Sequence, residues 1–161
     1  MPVLVDHPVI LIAETENDFS DAKLLFLEYA EELNIDFCFQ DFDKELNEIA
    51  VQYHPPSGVL LLMKGRNELM GCVGLRRIDG EVSEMKRMYI RKQFRGEGWS
   101  KKLIHDLLAH AKELKYRSVR LDTLPQMKEA VQLYLAFGFR EIKPYRFNPV
   151  EGTTYMELKL E

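Results

Sequence analysis

The chain has 161 residues, 46% hydrophobic and 30% charged, which suits one soluble domain spanning 1–161 with its own hydrophobic core. No run approaches the ~18 consecutive apolar residues of a membrane span. The start, "MPVLVDHP", lacks the basic and then apolar pattern of a signal peptide. With 22 basic against 26 acidic residues and a net charge of −4, nucleic acid is disfavoured as the main partner.

Cys38 and Cys72 lie in apolar contexts and read as free buried thiols, which points to the reducing cytosol. There are no repeats or low-complexity linkers. In chain order, residues 9–13 form a strand. Asn17 or Asp18 caps a helix running to about Leu33, with Leu24, Leu25, Leu27, Tyr29 and Leu33 as core candidates. A shorter helix covers 43–51 and stops before the two prolines of "YHPPSG".

Three strands follow, at 58–64, 69–77 and 81–90, with Asp79-Gly80 as a hairpin signal. Leu103, Ile104, Leu107, Leu108, Ala111 and Leu114 recur with helical period, giving an amphipathic helix to about Tyr116. "SVRLDT" is a strand and "QMKEAVQLYLAF" a helix that ends at a capping glycine, Gly138. Strands at 139–144 and 153–160 close the chain. The order β-α-α-β-β-β-α-β-α-β-β predicts an α+β fold, with a mixed, mostly antiparallel sheet of six or seven strands and about four helices.

"QFRGEGWS" joins the third hairpin strand to the amphipathic helix. Its alternating glycines let successive N–H groups turn inward, and the helix adds uncapped donors and the positive end of its dipole. Arg91, Lys92, Arg95, Lys101 and Lys102 stand around it, with Glu97 the only acid from Arg91 to Lys102. These features predict a pyrophosphate-sized anion. A P-loop is excluded because G-x-x-x-x-G-K-[ST] does not occur. A dinucleotide fingerprint is disfavoured because Lys101 occupies its third glycine position.

The segment Gln93-x-x-Gly96-x-Gly98 between strand and helix resembles the [RQ]-x-x-G-x-[GA] acyl-CoA loop of the GNAT superfamily of N-acetyltransferases. "AVQLYLAFGF" is similar to that family's later helix motif, and the element order matches along nearly the whole chain. Trp99, Ser100 and Met127 depart from the residues common at their positions.

The resemblance implies acetyl-CoA as co-substrate, with its pyrophosphate on backbone N–H groups of Arg95, Gly96, Glu97, Gly98, Trp99 and Ser100, and with Gln93 in the same motif. The pantetheine arm would lie along Met88, Tyr89 and Ile90, and the Met88 N–H would steady the oxyanion. Such a free edge requires the strands at 81–90 and 118–122 to splay apart. Tyr134 matches the family's general acid. A phenol of pKa ~10 protonating a thiolate of pKa ~8.5 is uphill by about 2 kcal/mol.

For the base, period-2 alternation puts residues 84, 86 and 88 on one strand face, which favours Glu84. Its other reading is a cross-strand ion pair with Lys86 or with an arginine on the neighbouring strand. Asp122 and water are the alternatives. Phe39, Gln40, Tyr145 and Asn148 belong to the segments that flank the family's acceptor cleft, and the acidic background favours a cationic primary amine. His105 and His110, five apart, are poorly placed to share a metal, and the sequence has no zinc pattern. The resemblance also admits a homodimer. Two other readings remain at this point: an acyl-CoA-binding regulatory module without turnover, and a nucleotide-binding oxidoreductase.

Overall fold

The computed structural model describes residues 7–35 and 41–161. They form a mixed α+β fold built on one seven-stranded sheet in the order β1-β2-β3-β4-β5-β7-β6. The strands are β1 Val9–Ile12, β2 Val59–Gly65, β3 Glu68–Asp79, β4 Val82–Ile90, β5 Ser118–Thr123, β6 Arg140–Ile142 and β7 Thr154–Lys159. Every pairing is antiparallel except that of β4 with β5, which the crossover helix makes parallel.

The helices are α1 Glu16–Leu33, α2 Phe42–Asn47, α3 Ile49–Gln52, α4 Trp99–Glu113 and α5 Lys128–Phe137. The predicted helix at 43–51 is therefore two short ones, α2 and α3. Among the described residues, no helix is long and apolar enough to cross a membrane.

The run "VLLLMKG" of β2 is apolar almost throughout because the sheet is covered on both faces. Alternation sends Leu60 and Leu62 into a core with Phe19, Ala22, Leu25 and Phe26 of α1, and sends Val59, Leu61 and Met63 into a core with Leu103, Ile104 and Leu107 of α4. Fully burying each such side chain contributes about 1.5–3 kcal/mol.

Helix α1 differs from its sequence reading in two details. Thr15 caps it by accepting from the Asp18 N–H, while the Asp18 carboxylate accepts from the Thr15 N–H in return. Leu24 and Leu27, expected in the core, are 48% and 51% exposed, because the buried stripe runs through Phe19, Ala22, Leu25 and Phe26.

Tyr53, fully buried, lies across Gly74 of β3. A methyl group at residue 74 would come within 2.5 Å of the Tyr53 ring. The ring is held by Phe26, packed edge-on, and by its own hydroxyl donating to Glu45 at 2.7 Å. Gly74→Ala is therefore expected to destabilise the fold by about 1–3 kcal/mol, the usual cost of overpacking, read from chemical denaturation.

Two irregularities in β4 shape the centre of the sheet. Parallel pairing with β5 covers only Val82–Glu84 against Ser118–Arg120, after which the two strands diverge. On the other side, Gly74 pairs with Lys86 and Cys72 with Tyr89, so three steps of β4 match two of β3. The extra residue falls at Arg87, whose φ of 57° is rare for a residue with a side chain.

Candidate active site

Among the described residues, the divergence of β4 and β5 leaves the β5-facing side of Met85–Ile90 without a strand partner, a row of backbone donors and acceptors outside the ladder. At its end the chain turns through a 3₁₀ turn, Lys92–Phe94, into the glycine loop. Gly96 and Gly98 have φ of 88° and 86°, a region that residues with a β-carbon enter only at a cost. A β-carbon at either position would meet nothing within 4 Å, so the loop's open side is free space. Gly98 is the N-cap of α4 and supplies no side chain to satisfy the first-turn N–H groups. Those donors, together with the helix dipole, fit an anion of phosphate size.

Around this edge lies a cavity of about 730 Å³, a size suited to a cofactor. Of the sequence-predicted residues, Met88, Tyr89, Ile90, Arg95, Gly96, Gly98, Trp99, Ser100 and Tyr134 line it. Gln93 and Glu97 belong to the same loop but not to the cavity wall. Trp99 is half-buried, packs against the α4-side core, and donates from its indole nitrogen to Glu97 at 3.1 Å.

The local excess of positive charge is smaller than the sequence suggests. Helix α1 brings Glu28 onto Arg91, with contacts of 2.8 and 2.9 Å, and Glu32 onto Arg95 at 2.7 Å. Arg95 also stacks 5.7 Å from the Tyr89 ring centroid and donates to the Ile90 carbonyl.

Residues 24–139 match the acetyltransferase (GNAT) family. The chain belongs to that family. An uncharacterized N-acetyltransferase of Schizosaccharomyces pombe is 36% identical over 145 residues, covering 89% of each chain. Among solved structures, a GNAT acetyltransferase of Staphylococcus aureus superposes with a TM-score of 0.80 at 23% identity, over 96% of this chain and 100% of that one. A GNAT acetyltransferase of Elizabethkingia anophelis with acetyl-CoA bound gives 0.64 at 23% identity, over 96% and 99%.

In this GNAT chain the Arg87 bulge changes the expected geometry of β4. Strict alternation would place Glu84 and Met88 on one face. With the extra residue, Met88 packs with the α4-side core, whereas Tyr89 belongs to the α1-side core. Met85, next to Glu84, packs in the same α4-side core as Met88, so Glu84 and Met88 lie on opposite faces of the sheet and not on one.

Glu84 is fully buried among charges instead. Arg76, opposite it on β3, lies at 3.3 Å, and Arg146 pairs with its other oxygen. The Tyr145 hydroxyl donates to it at 2.7 Å. Burial alone would raise its pKa, but Lys86, Arg146, Arg76 and the Tyr145 hydrogen bond together hold it below the ordinary glutamate range.

Asp122, at the end of β5, accepts from Asn148 Nδ2 at 3.2 Å, and Lys86 Nζ stands 4.0 Å from it. Asp122, Asn148 and Lys86 line a small cavity of about 40 Å³, and Tyr29 faces both this space and the large cavity. Burial pulls Lys86 down to about 7, against the attraction of Glu84 and Asp122. Burial pushes the Tyr134 phenol well above its usual value.

Phe39 and Gln40 lie outside the described residues, as does Cys38. Cys72 is a buried free thiol. Among the described residues, no cluster of three metal-ligating side chains occurs.

The sequence reading did not assign site roles to Tyr29, Glu32, Arg76, Lys86 or Arg146. Arg146 stands inside the "YRFNPVEG" loop, where an arginine beside two aromatics was the available signal. A two-residue turn at Gly80 would have set Glu84 opposite Arg77. The register shift between Arg77 and Asp79 moves it onto Arg76.

Proposed function

We propose that the chain transfers an acetyl group from acetyl-CoA to a primary amine by direct attack in a ternary complex. The observation that carries this reading is the open edge of β4 running into the uncapped Gly96–Gly98 loop, with Tyr134 on the same cavity wall. In this reading the pyrophosphate rests on N–H groups of the 95–100 loop, and the pantetheine arm adds to β4 along Met88–Ile90 in the manner of an extra strand.

The amine nitrogen attacks the thioester carbonyl carbon, and the Met88 N–H receives the developing negative charge on oxygen. The carbon–sulfur bond breaks, the CoA thiolate takes a proton from Tyr134, and the nitrogen sheds a proton. Asp122 faces the connecting cavity and is better placed than Glu84 to receive it, because both Glu84 oxygens are already held by Arg76, Arg146 and Tyr145. The proximity of the two bound substrates supplies much of the acceleration.

Initial rates measured while varying acetyl-CoA at several fixed amine concentrations test the ternary complex. Reciprocal plots are expected to intersect. Parallel lines would instead indicate an acetylated enzyme and sink direct transfer.

A further inference from the structure

A second open cavity, about 460 Å³, lies beneath the segment joining β6 to β7, on the face of the sheet covered by α2 and α3. Among the described residues, its lining includes the cations Arg76, Arg146 and Lys44 and one acid, Asp41. Such a wall is unusual in a chain of net charge −4.

Behind it, the two guanidiniums converge on one carboxylate, that of Glu84. Among the described residues, Lys86 and Arg87 lie in the same region, with Asp122 and Glu45 as their respective carboxylate partners. Arg146 Nε is buried and has no hydrogen-bond partner among the described residues. A buried N–H donor is expensive to leave unpaired, and an arginine fork is shaped for a planar anion.

We propose that this cavity is the acceptor's recognition subsite and that the acceptor carries a carboxylate there, held by Arg146 and Arg76 with Lys44 at the rim. The inference rests on the acetyl-transfer reading and names the substrate class within it. The position also fits. Glu84 and Met88 are four residues apart on β4, which the Arg87 bulge shortens to about three ladder steps, roughly 10 Å, with Lys86 between them and Tyr145–Asn148 alongside.

The probes are 6-aminohexanoate and hexylamine, which share chain length and differ in the carboxylate. Each is assayed for acetyl-CoA-dependent thiol release, and each is titrated calorimetrically into the CoA-saturated protein. The carboxylated amine is expected to be preferred roughly tenfold to a hundredfold in both measurements, the range of a charge-assisted contact. Arg146→Gln, checked for an unchanged fold by its melting curve, is expected to remove most of that preference. Lys44→Glu on the exposed rim is expected to reduce it several-fold, and serves if Arg146→Gln does not fold.

Equal binding and turnover of the two probes would overturn the proposal, as would a preference that both variants leave intact. If neither probe releases thiol, the acetyl-transfer reading fails for these amines, and the calorimetric comparison alone decides the carboxylate subsite.

Discussion

Replacing Tyr134 by phenylalanine is expected to lower kcat by about 10²–10⁴-fold, the range for loss of a positioned acid, while acetyl-CoA still binds. The tyrosine ring is buried against Phe139 at a centroid distance of 5.8 Å, and phenylalanine keeps that contact. The melting temperature should therefore move little while turnover falls. Burial pushes the phenol above its ordinary pKa, so the proton stays in place throughout the neutral and mildly alkaline range. No alkaline loss of kcat belonging to Tyr134 is expected below pH ~10. A variant with full turnover would remove Tyr134 from the mechanism and turn attention to Tyr29, the other phenol on the large cavity's wall close to Asp122.

Glu45→Gln is expected to cost about 3–5 kcal/mol of stability, read from urea denaturation, because one partner of a buried pair is removed. Glu45 accepts from Arg87 Nε and an Arg87 terminal nitrogen at 3.1 and 2.7 Å, and from the Tyr53 hydroxyl. Arg87 is the bulge residue, so this carboxylate anchors the irregularity that turns Met88 away from the Glu84 face. The damage should therefore extend to catalysis as well as to stability.

The pair also sets an acid limit. Burial raises the Glu45 pKa, but its hydrogen bonds and attraction to Arg87 outweigh burial and leave it below the ordinary value. Its unfolded-state pKa is the higher one. This contribution is complete above roughly pH 4.5 and is lost as pH falls through the folded-state value. Chemical denaturation of the wild type and of the Glu45→Gln variant across that range should show the wild type's advantage shrinking toward acid.

Much of this arrangement was legible in the residues. "QFRGEGWS", the amphipathic helix after it and "LYLAFGF" carried local signals strong enough to locate α4, α5 and the loop between β4 and α4. The splay of β4 from β5 was implied by resemblance and is present. What could not be read is what tertiary packing decides.

Nothing in Lys86-Arg87-Met88 announces a bulge, because the residue with positive φ is an arginine held there by Glu45, far away in sequence. Helix α1 offered several leucines for one narrow stripe, and packing against β2 and β3 selected Leu25 over Leu24 and Leu27. The cation run beside the glycines looked unopposed only because Glu28 and Glu32 approach from α1. The cluster around Glu84 likewise draws on β3, β4 and the β6–β7 segment, which no local window contains.

Acetyl transfer is tested most directly by the release of free CoA thiol from acetyl-CoA, followed with and without a primary amine. Release is expected to require both substrates and to yield the acetylated amine in equal amount. Tight binding of acetyl-CoA with no amine-dependent release across carboxylated, neutral and polycationic amines would contradict it, leaving a CoA-binding module in place of an enzyme.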